Sequence, residues 1–246
     1  LKVSIITATY NSLNNLPFVL KSVRQQHYVD IEWIVVDGKS NDGTDVYLKD
    51  KDINKYICEP DNGIYDALNK GLNIATGEVI GFLHSDDFLD NSKTLSNIMA
   101  VFKNENVDGV YGDLKYVDSE NPSKVIRYWK SKPYHPNNLN RGWMPAHPTL
   151  FLKKEVYDKH GLFDLSYKIA ADYDFMLRVL KDSTLKFYYL PEVITHMRLG
   201  GASNKNLSSI IQKSKEDYRV IKKHHLNGLL TLFSKNVLKL NQFFKK

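Results

Sequence analysis

Cys58 is the single cysteine in 246 residues, so no internal disulfide can form and a reducing compartment suits the chain. No apolar run approaches the roughly 20 residues that cross a bilayer, and no signal peptide is visible. The sequence therefore reads as cytoplasmic. The dinucleotide fingerprint GxGxxG is missing after the first apolar run, and so is a GxxxxGK[ST] phosphate loop. Those gaps remove the usual nicotinamide and P-loop readings. Internal repeats and low-complexity segments are also missing. Acidic residues are scarce at one end: residues 205–246 hold ten Lys and Arg against two acids, a charge of +8. The whole chain carries +6, so residues 1–204 carry −2 and the basicity belongs to the tail.

What is present is a regular alternation. Val3-Ser4-Ile5-Ile6-Thr7-Ala8 is a β-rich run that stops at Thr9-Tyr10-Asn11-Ser12. Asn14 is placed to cap a helix through Leu16, Val19, Leu20 and Val23, with Pro17 tolerated in its first turn. Ile31–Asp37 reads as a second buried strand, ending in a polar loop from Asp37 to Thr44. Lys55–Cys58 is a third, running into Glu59-Pro60-Asp61-Asn62-Gly63. A helix over Ile64–Ala75 closes at Gly77, and Val79–Leu83 is a fourth strand. Such alternation argues for parallel βαβ units with right-handed crossovers. In open α/β sheets ligands bind beyond the carboxyl ends of the strands. Tyr10, Asp37, Glu59 and Asp86-Asp87 are thus expected on one rim.

Asp86-Asp87 ends the fourth strand abruptly. Two adjacent carboxylates repel each other and lose solvation when covered, so such a pair needs a cation or a strong donor. We read them as a divalent-metal and phosphate site. The plainer reading, a helix N-cap, suits Asp90 or Asn91 better. A phosphate-bearing ligand held by a metal, rather than by a glycine cradle, follows.

Beyond Asp108 the pattern changes. Gly109–Val117 and Lys124–Trp129 read as two strands joined by a polar turn. Ser131–Pro148, with four prolines and two histidines, reads as a loop over the site. Thr149–Leu152 is a short strand, Asp172–Asp182 an amphipathic helix with Phe175, Met176, Val179 and Leu180 facing in, and Leu185–Leu190 another strand. His196–Ser203 reads as a flexible basic segment, and the tail from Asn206 as helical. Asp172 and Asp174 fall in a first helical turn, where the helix dipole alone favours them. His147 and His196 have equally plain explanations, as a satisfied loop histidine and a surface histidine.

In combination the motifs resemble family 2 glycosyltransferases of the kind that build bacterial surface polysaccharides. The resemblance runs from Val3 to about Ser203. It rests on Ile5-Ile6-Thr7-Ala8-Thr9-Tyr10-Asn11, Val35-Val36-Asp37-Gly38-Lys39-Ser40-Asn41-Asp42-Gly43-Thr44, Glu59 to Gly71, Phe82-Leu83-His84-Ser85-Asp86-Asp87, Gly161-Leu162-Phe163-Asp164 and Ala171 to Arg178. It implies a GT-A fold, that is, an α/β fold with a mostly parallel central sheet flanked by helices, here with a helical C-terminal extension. It also implies a nucleotide-diphosphate sugar donor (a UDP-sugar first), Mn2+ or Mg2+, and inversion at the anomeric carbon. Residues 1–204 would be the catalytic domain, with a nucleotide-binding half to 107 and an acceptor half from 108, and 205–246 a basic tail.

Matched residue by residue, Thr7, Ala8, Tyr10, Asp37, Lys70 and Asp86 would bind the nucleotide, with Tyr10 on the base and Asp37 bonded to it. Asp87, with Asp86, would hold the metal, and Asp172 would be the catalytic base. Trp143, His147 and Arg198 would contact acceptor or donor sugar, and Arg198 and Lys70 would stabilise the leaving phosphate. Two departures stand out: Ser85 occupies the first place of the family's frequent Asp-x-Asp, and Ala171 the place of a frequent second acid. The QxxRW motif of processive synthases is missing, which implies transfer of a single sugar.

A sugar nucleotidyltransferase would show a glycine- and basic-rich loop where Thr9-Tyr10-Asn11-Ser12 stands. A non-catalytic nucleotide- or glycan-binding module would have no use for both Asp87 and Asp172. Nucleic-acid binding lacks stacking aromatics among the tail's charges. In that tail Leu226, Leu229, Leu230, Phe233, Val237, Leu240 and Phe244 recur at helical spacing, flanked by Lys222, Lys223, Lys235, Lys239, Lys245 and Lys246. The stripe either packs on the protein body or a second subunit as a homodimer, or lies on an anionic membrane surface. A glycan or polyprenyl-linked acceptor, which the resemblance implies, favours the inner face of the plasma membrane.

Overall fold

The computed structural model describes residues 1–199 and 207–240. Four strands, β1 (Val3–Thr9), β2 (Ile31–Asp37), β3 (Lys55–Cys58) and β4 (Val79–Phe82), run parallel in the order β3-β2-β1-β4. The crossovers are α1 (Leu16–Arg24), α2 (Thr44–Lys49) and α3 (Ile64–Ile74). These strands are almost continuously apolar because both faces are covered. Val3, Ile5, Trp33 and Val35 join one core cluster with Leu16, Val19 and Leu20, while Ile6, Ala8, Ile34 and Val36 join the other with Leu68 and Leu72. Helix α1 begins at Leu16 behind Asn15, one residue later than the sequence suggests, and no side chain caps it. The Asn15 amide oxygen instead accepts from Arg198 at 2.9 Å.

The rest of the sheet is mixed. Beyond β4 come β8 (Phe151–Lys153), β6 (Gly109–Val117), β9 (Phe187–Arg198) and β5 (Asp87–Leu89), with β7 (Val125–Trp129) hydrogen-bonded to β6. Helices α4 (Thr94–Asn104), α5 (Asn137–Asn140), α6 (Lys154–His160) and α7 (Ala171–Leu180) flank it. Phe175, Met176, Val179 and Leu180 of α7 are all buried, as their spacing suggests.

Two expectations fail here. Asp87 does not end a strand; it begins β5, opposite Met197 of β9. The segment from His196 is not a flexible one as far as Arg198, because β9 runs on to that residue; Leu199 follows in a turn, and residues 200–203 lie outside the described residues. Pro191 hid this continuation, since proline inside a strand demands an irregularity. The register of β6 against β9 shifts there, from Tyr111 opposite Tyr189 to Asp113 opposite Val193.

The tail folds into two helices, α8 (Leu207–Lys223) and α9 (Gly228–Leu240), joined by a short turn. Helix α8 packs on α7, and α9 on α8 and the Asn140 loop, not away from the body. No helix among the described residues is long and apolar enough to cross a membrane.

Candidate active site

The rim beyond the parallel strands is knitted from loops distant in sequence. The Asn11 amide donates to Ser40 Oγ at 2.8 Å and the Asn41 amide to Asn11 Oδ1 at 3.0 Å. The Ser12 and Ser85 hydroxyls lie 3.0 Å apart, tying the first loop to the fourth. Tyr10 is exposed on this rim. Asp37 is on it too but fully buried, and it accepts from the Ser40 amide at 2.8 Å, Ser40 Oγ at 2.6 Å and Cys58 Sγ at 3.4 Å. Its visible work is to hold the loop. Thr7 is buried and accepts from Trp33 Nε1 at 3.1 Å, and Ala8 is buried in β1, so neither side chain reaches the rim surface. The Lys70 ammonium is taken up by Glu59 Oε1 at 2.8 Å and by the Pro60 carbonyl at 2.7 Å.

Asp87 is fully buried, and neither carboxylate oxygen has a hydrogen-bond partner. Burial, then the adjacent Asp86 charge, push its carboxyl well above the usual range. An orphaned buried carboxylate is rare and costly. A divalent cation would resolve it, and Asp87 with the half-buried Asp86 offers the hard oxygen ligands that Mg2+ or Mn2+ take. Among the described residues no group of three or more candidate ligands converges, so remaining positions would fall to ligand oxygens and water. The residues fit that arrangement, which is how cations usually sit on substrate phosphates. Arg198 lies across from this place on β9. One of its terminal nitrogens donates to Asn15, the other to the Ser119 carbonyl, and the guanidinium sits 4.3 Å from the centre of the Phe18 ring. His196 bonds Asp90 at 2.6 Å and stacks on Phe88; it is mostly buried, with Nδ1 unpartnered among the described residues, and is not the surface histidine its sequence position suggests.

Asp172 stands in the first turn of α7. Tyr65 Oη lies 3.0 Å from Asp172 Oδ1 and 2.7 Å from the Ile169 carbonyl, so its one proton is shared. The Tyr173 amide donates to the same Oδ1 at 2.8 Å, and among the described residues Oδ2 accepts none. Helix α7 has no side-chain cap of its own. Glu216 of α8 instead pins the segment leading into it, accepting from the amides of Lys168, Ile169 and Ala170 at 3.2, 2.8 and 3.0 Å. The turn that carries Asp172 is thus fixed from 44 residues downstream, counting from the two positions.

One cavity of about 230 Å3 gathers Asp172 with His84, His147, Trp143, Trp129, Tyr116 and Lys235. His84 Nδ1 and His147 Nε2 are buried without partners. Burial holds both imidazoles below the ordinary value, His147 at about 4. Both are therefore neutral donors and acceptors at pH 7. His84 feels the charges of Asp86 and of Asp172, so it stands between the acidic pair and α7. Motif spacing singles out His147, Trp143 and Asp172. It passes over His84, and over Tyr65, Glu216 and Lys235, whose partners are distant in sequence or set by the tertiary fold.

With this geometry in view, the chain belongs to glycosyl transferase family 2, whose family description matches residues 4–161. It is a glycosyltransferase with the GT-A fold, which sets aside the nucleotidyltransferase and the non-catalytic module. It is 30% identical over 208 residues to a PGL/p-HBAD biosynthesis glycosyltransferase of Mycobacterium bovis, spanning 82% of this chain and 78% of that protein. Among solved structures it is similar to S. aureus TarS 1-349 in complex with UDP-GlcNAc (TM-score 0.73, 21% identity, 99% of this chain, 73% of that one). It spans 44% of the longer TarS chain. It is also similar to the mannosyltransferase PcManGT of Pyrobaculum calidifontis in complex with GDP-Man and Mn2+ (TM-score 0.67, 19% identity, 96% of this chain, 69% of that one).

Proposed function

We propose that the protein transfers one sugar, with inversion, from a UDP-sugar to a glycan or lipid-linked acceptor, using a divalent cation. The observation that carries this reading is the pairing of a buried carboxylate, Asp87, with a second carboxylate, Asp172, on the adjoining cavity; among the described residues neither Asp87 oxygen nor Asp172 Oδ2 has a hydrogen-bond partner. Two structural neighbours, one in complex with UDP-GlcNAc and one with GDP-Man and Mn2+, support the donor class and the cation.

Asp172 takes the proton of the acceptor hydroxyl as that oxygen attacks the anomeric carbon in line with the departing diphosphate. Tyr65 and the Tyr173 amide hold Oδ1, which orients Oδ2 towards the acceptor. Asp87 and Asp86 would hold the cation, which when bound neutralises charge on the diphosphate. His84 and His147, whose unpartnered ring nitrogens are buried, offer neutral hydrogen bonds to sugar hydroxyls. A single base and no nucleophile suits inversion.

The test is release of free nucleotide from a panel of UDP-, GDP- and dTDP-sugars with and without Mn2+. One sugar nucleotide should turn over only with the metal. Asp172→Asn should keep donor affinity and lower kcat about 10²–10⁴-fold. Turnover in EDTA, or an Asp172→Asn enzyme that loses donor affinity with kcat unchanged, would overturn the assignment.

A further inference from the structure

Lys235 of α9 reads from the sequence as a solvent-side lysine flanking an apolar stripe. The fold turns it inward: it is 8% exposed and lies on the wall of the cavity that holds Asp172. Its ammonium pairs with Asp217 Oδ1 at 2.8 Å and sits 3.3 Å from the centre of the Tyr173 ring. Burying a lysine is costly, and Asp217 already has Lys213 at 3.2 Å, so a structural need for a second cation is weak. An ammonium has three N–H donors, and Asp217 and the ring face account for two.

The helix that bears it is seated tightly on the loop of the same cavity. Thr231 Oγ1 donates to the Asn140 carbonyl at 2.9 Å. Gly142 has φ +70°, and a Cβ there would come within 2.6 Å of the Thr231 carbonyl and 2.8 Å of the Lys235 backbone. Only glycine permits that approach, which places the Lys235 backbone directly against the Gly142–His147 loop. Facing the ammonium are Asp217 and Lys213 from α8 and Asp172 and Tyr173 from α7. Burial pushes its pKa down to about 8, so at pH 7 it keeps its charge in a nearly dry setting where a hydrogen bond to it counts more.

We propose that Lys235 is an acceptor-positioning residue: its free N–H donates to an oxygen of the acceptor sugar, whose ring lies against Trp129 and Trp143, and so sets the attacking hydroxyl at Asp172. Aromatic walls with a few fixed polar groups are what a sugar-sized pocket requires. The oxygen is a hydroxyl or a carboxylate; the proposal rests on the transferase reading above.

The experiment compares full-length protein with Lys235→Met, which keeps the bulk, and Lys235→Arg, which keeps the donors, each first checked for an intact thermal transition. Nucleotide release to water is measured without acceptor. Transfer is then measured to p-nitrophenyl glycosides of neutral hexoses, N-acetylhexosamines and hexuronic acids. Binding of the same glycosides is followed by tryptophan fluorescence. Lys235→Met should lower kcat/KM for the preferred glycoside about 10–100-fold and weaken its binding, while hydrolysis and donor KM stay within about twofold. Lys235→Arg should recover part of the loss. A larger loss for hexuronic acids identifies a carboxylate partner, an equal loss a hydroxyl. Equal losses of hydrolysis and transfer, or unchanged glycoside binding, overturn the role of Lys235. A native enzyme that releases no nucleotide from any donor overturns the transferase reading instead.

Discussion

Two buried carboxylates stand at opposite ends of the parallel strands. Glu32, at the amino end of β2, accepts from Ser4 Oγ at 2.6 Å and from the Thr76 amide and hydroxyl at 2.8 and 2.7 Å, with Lys55 at 2.9 Å. Burial alone would raise its pKa, and these bonds outweigh burial and lower it. Asp87, past the carboxyl end of β4, has none of these partners. The first is structural, and the second is an ionisable group left unpaired inside the fold, where burial favours its neutral form until a cation binds. Without a cation the buried carboxyl holds a proton that the unfolded chain releases at neutral pH, so Asp87→Asn, which cannot ionise, should stabilise the protein at pH 7 by about 1–3 kcal/mol. That corresponds to a rise of several degrees in Tm for a chain of this size. The same variant should lose the Tm increase that Mn2+ with UDP gives the native protein. Thermal melts with and without Mn2+ and UDP read both effects. A metal-free variant that melts lower, or one that still responds to Mn2+ and UDP, would sink the assignment of Asp87 to the cation.

Between elements, Asp174 is the junction of α7 and the tail. It is fully buried and meets Arg178 of α7 at 3.1 Å, with Lys223 and His224 at the end of α8, both at 2.9 Å. Burial raises its pKa, but the His224 and Lys223 bonds more than offset this and bring it to about 2. The sign is that of a depressed acid: the stabilisation is complete above the ordinary carboxylate value near 4 and is lost as pH falls towards about 2. Lys223 reaches solvent, which discounts the pair below a sealed one. Asp174→Asn should cost about 2–3 kcal/mol at pH 7 and much less at pH 2, read by urea denaturation at both values. An equal cost at both would mean packing rather than charge.

Elements built from local pattern were legible in the sequence, namely β1 to β4, α3 and the inward face of α7, because both helical and strand periods are written in consecutive residues. The antiparallel half was harder. Pro191 interrupts β9, and Asp87 enters β5 only because Met197 lies opposite. Asp86, Asp87, Asp172, Trp143 and His147 stand in recognisable motifs. Glu216 and Lys235 do not, since the amides and the ring that define their roles come from segments more than forty residues away.

For the whole molecule, the tail inverts the rule that apolar stripes face inward. On α9, Thr231 and Lys235 point into the body, while Leu229, Leu230 and Phe233 are 74%, 61% and 68% exposed. Leu226, from the same sequence stripe, packs partly on the core, and Phe244 lies outside the described residues. Ile210 and Ile211 of α8 are also exposed, and so are Lys215 and Lys222 on the same helix, while Lys223 and Arg219 are engaged with Asp174 and Ser166. Apolar side chains left in water beside cations match an anionic membrane surface, where each lysine contributes about 1 kcal/mol. The alternative is a second copy of the chain. Deleting the tail cannot separate these, because it also removes Glu216 and Lys235 from the site. The triple change Leu229→Ser, Leu230→Ser, Phe233→Ser leaves the inward face of α9 intact. Native protein should co-sediment with phosphatidylglycerol-containing vesicles, less so as salt rises, and the triple variant should stay in the supernatant with its nucleotide release unchanged. If native protein ignores the vesicles while the triple variant shifts from dimer to monomer by light scattering, the exposed stripe is a subunit interface and membrane attachment is ruled out.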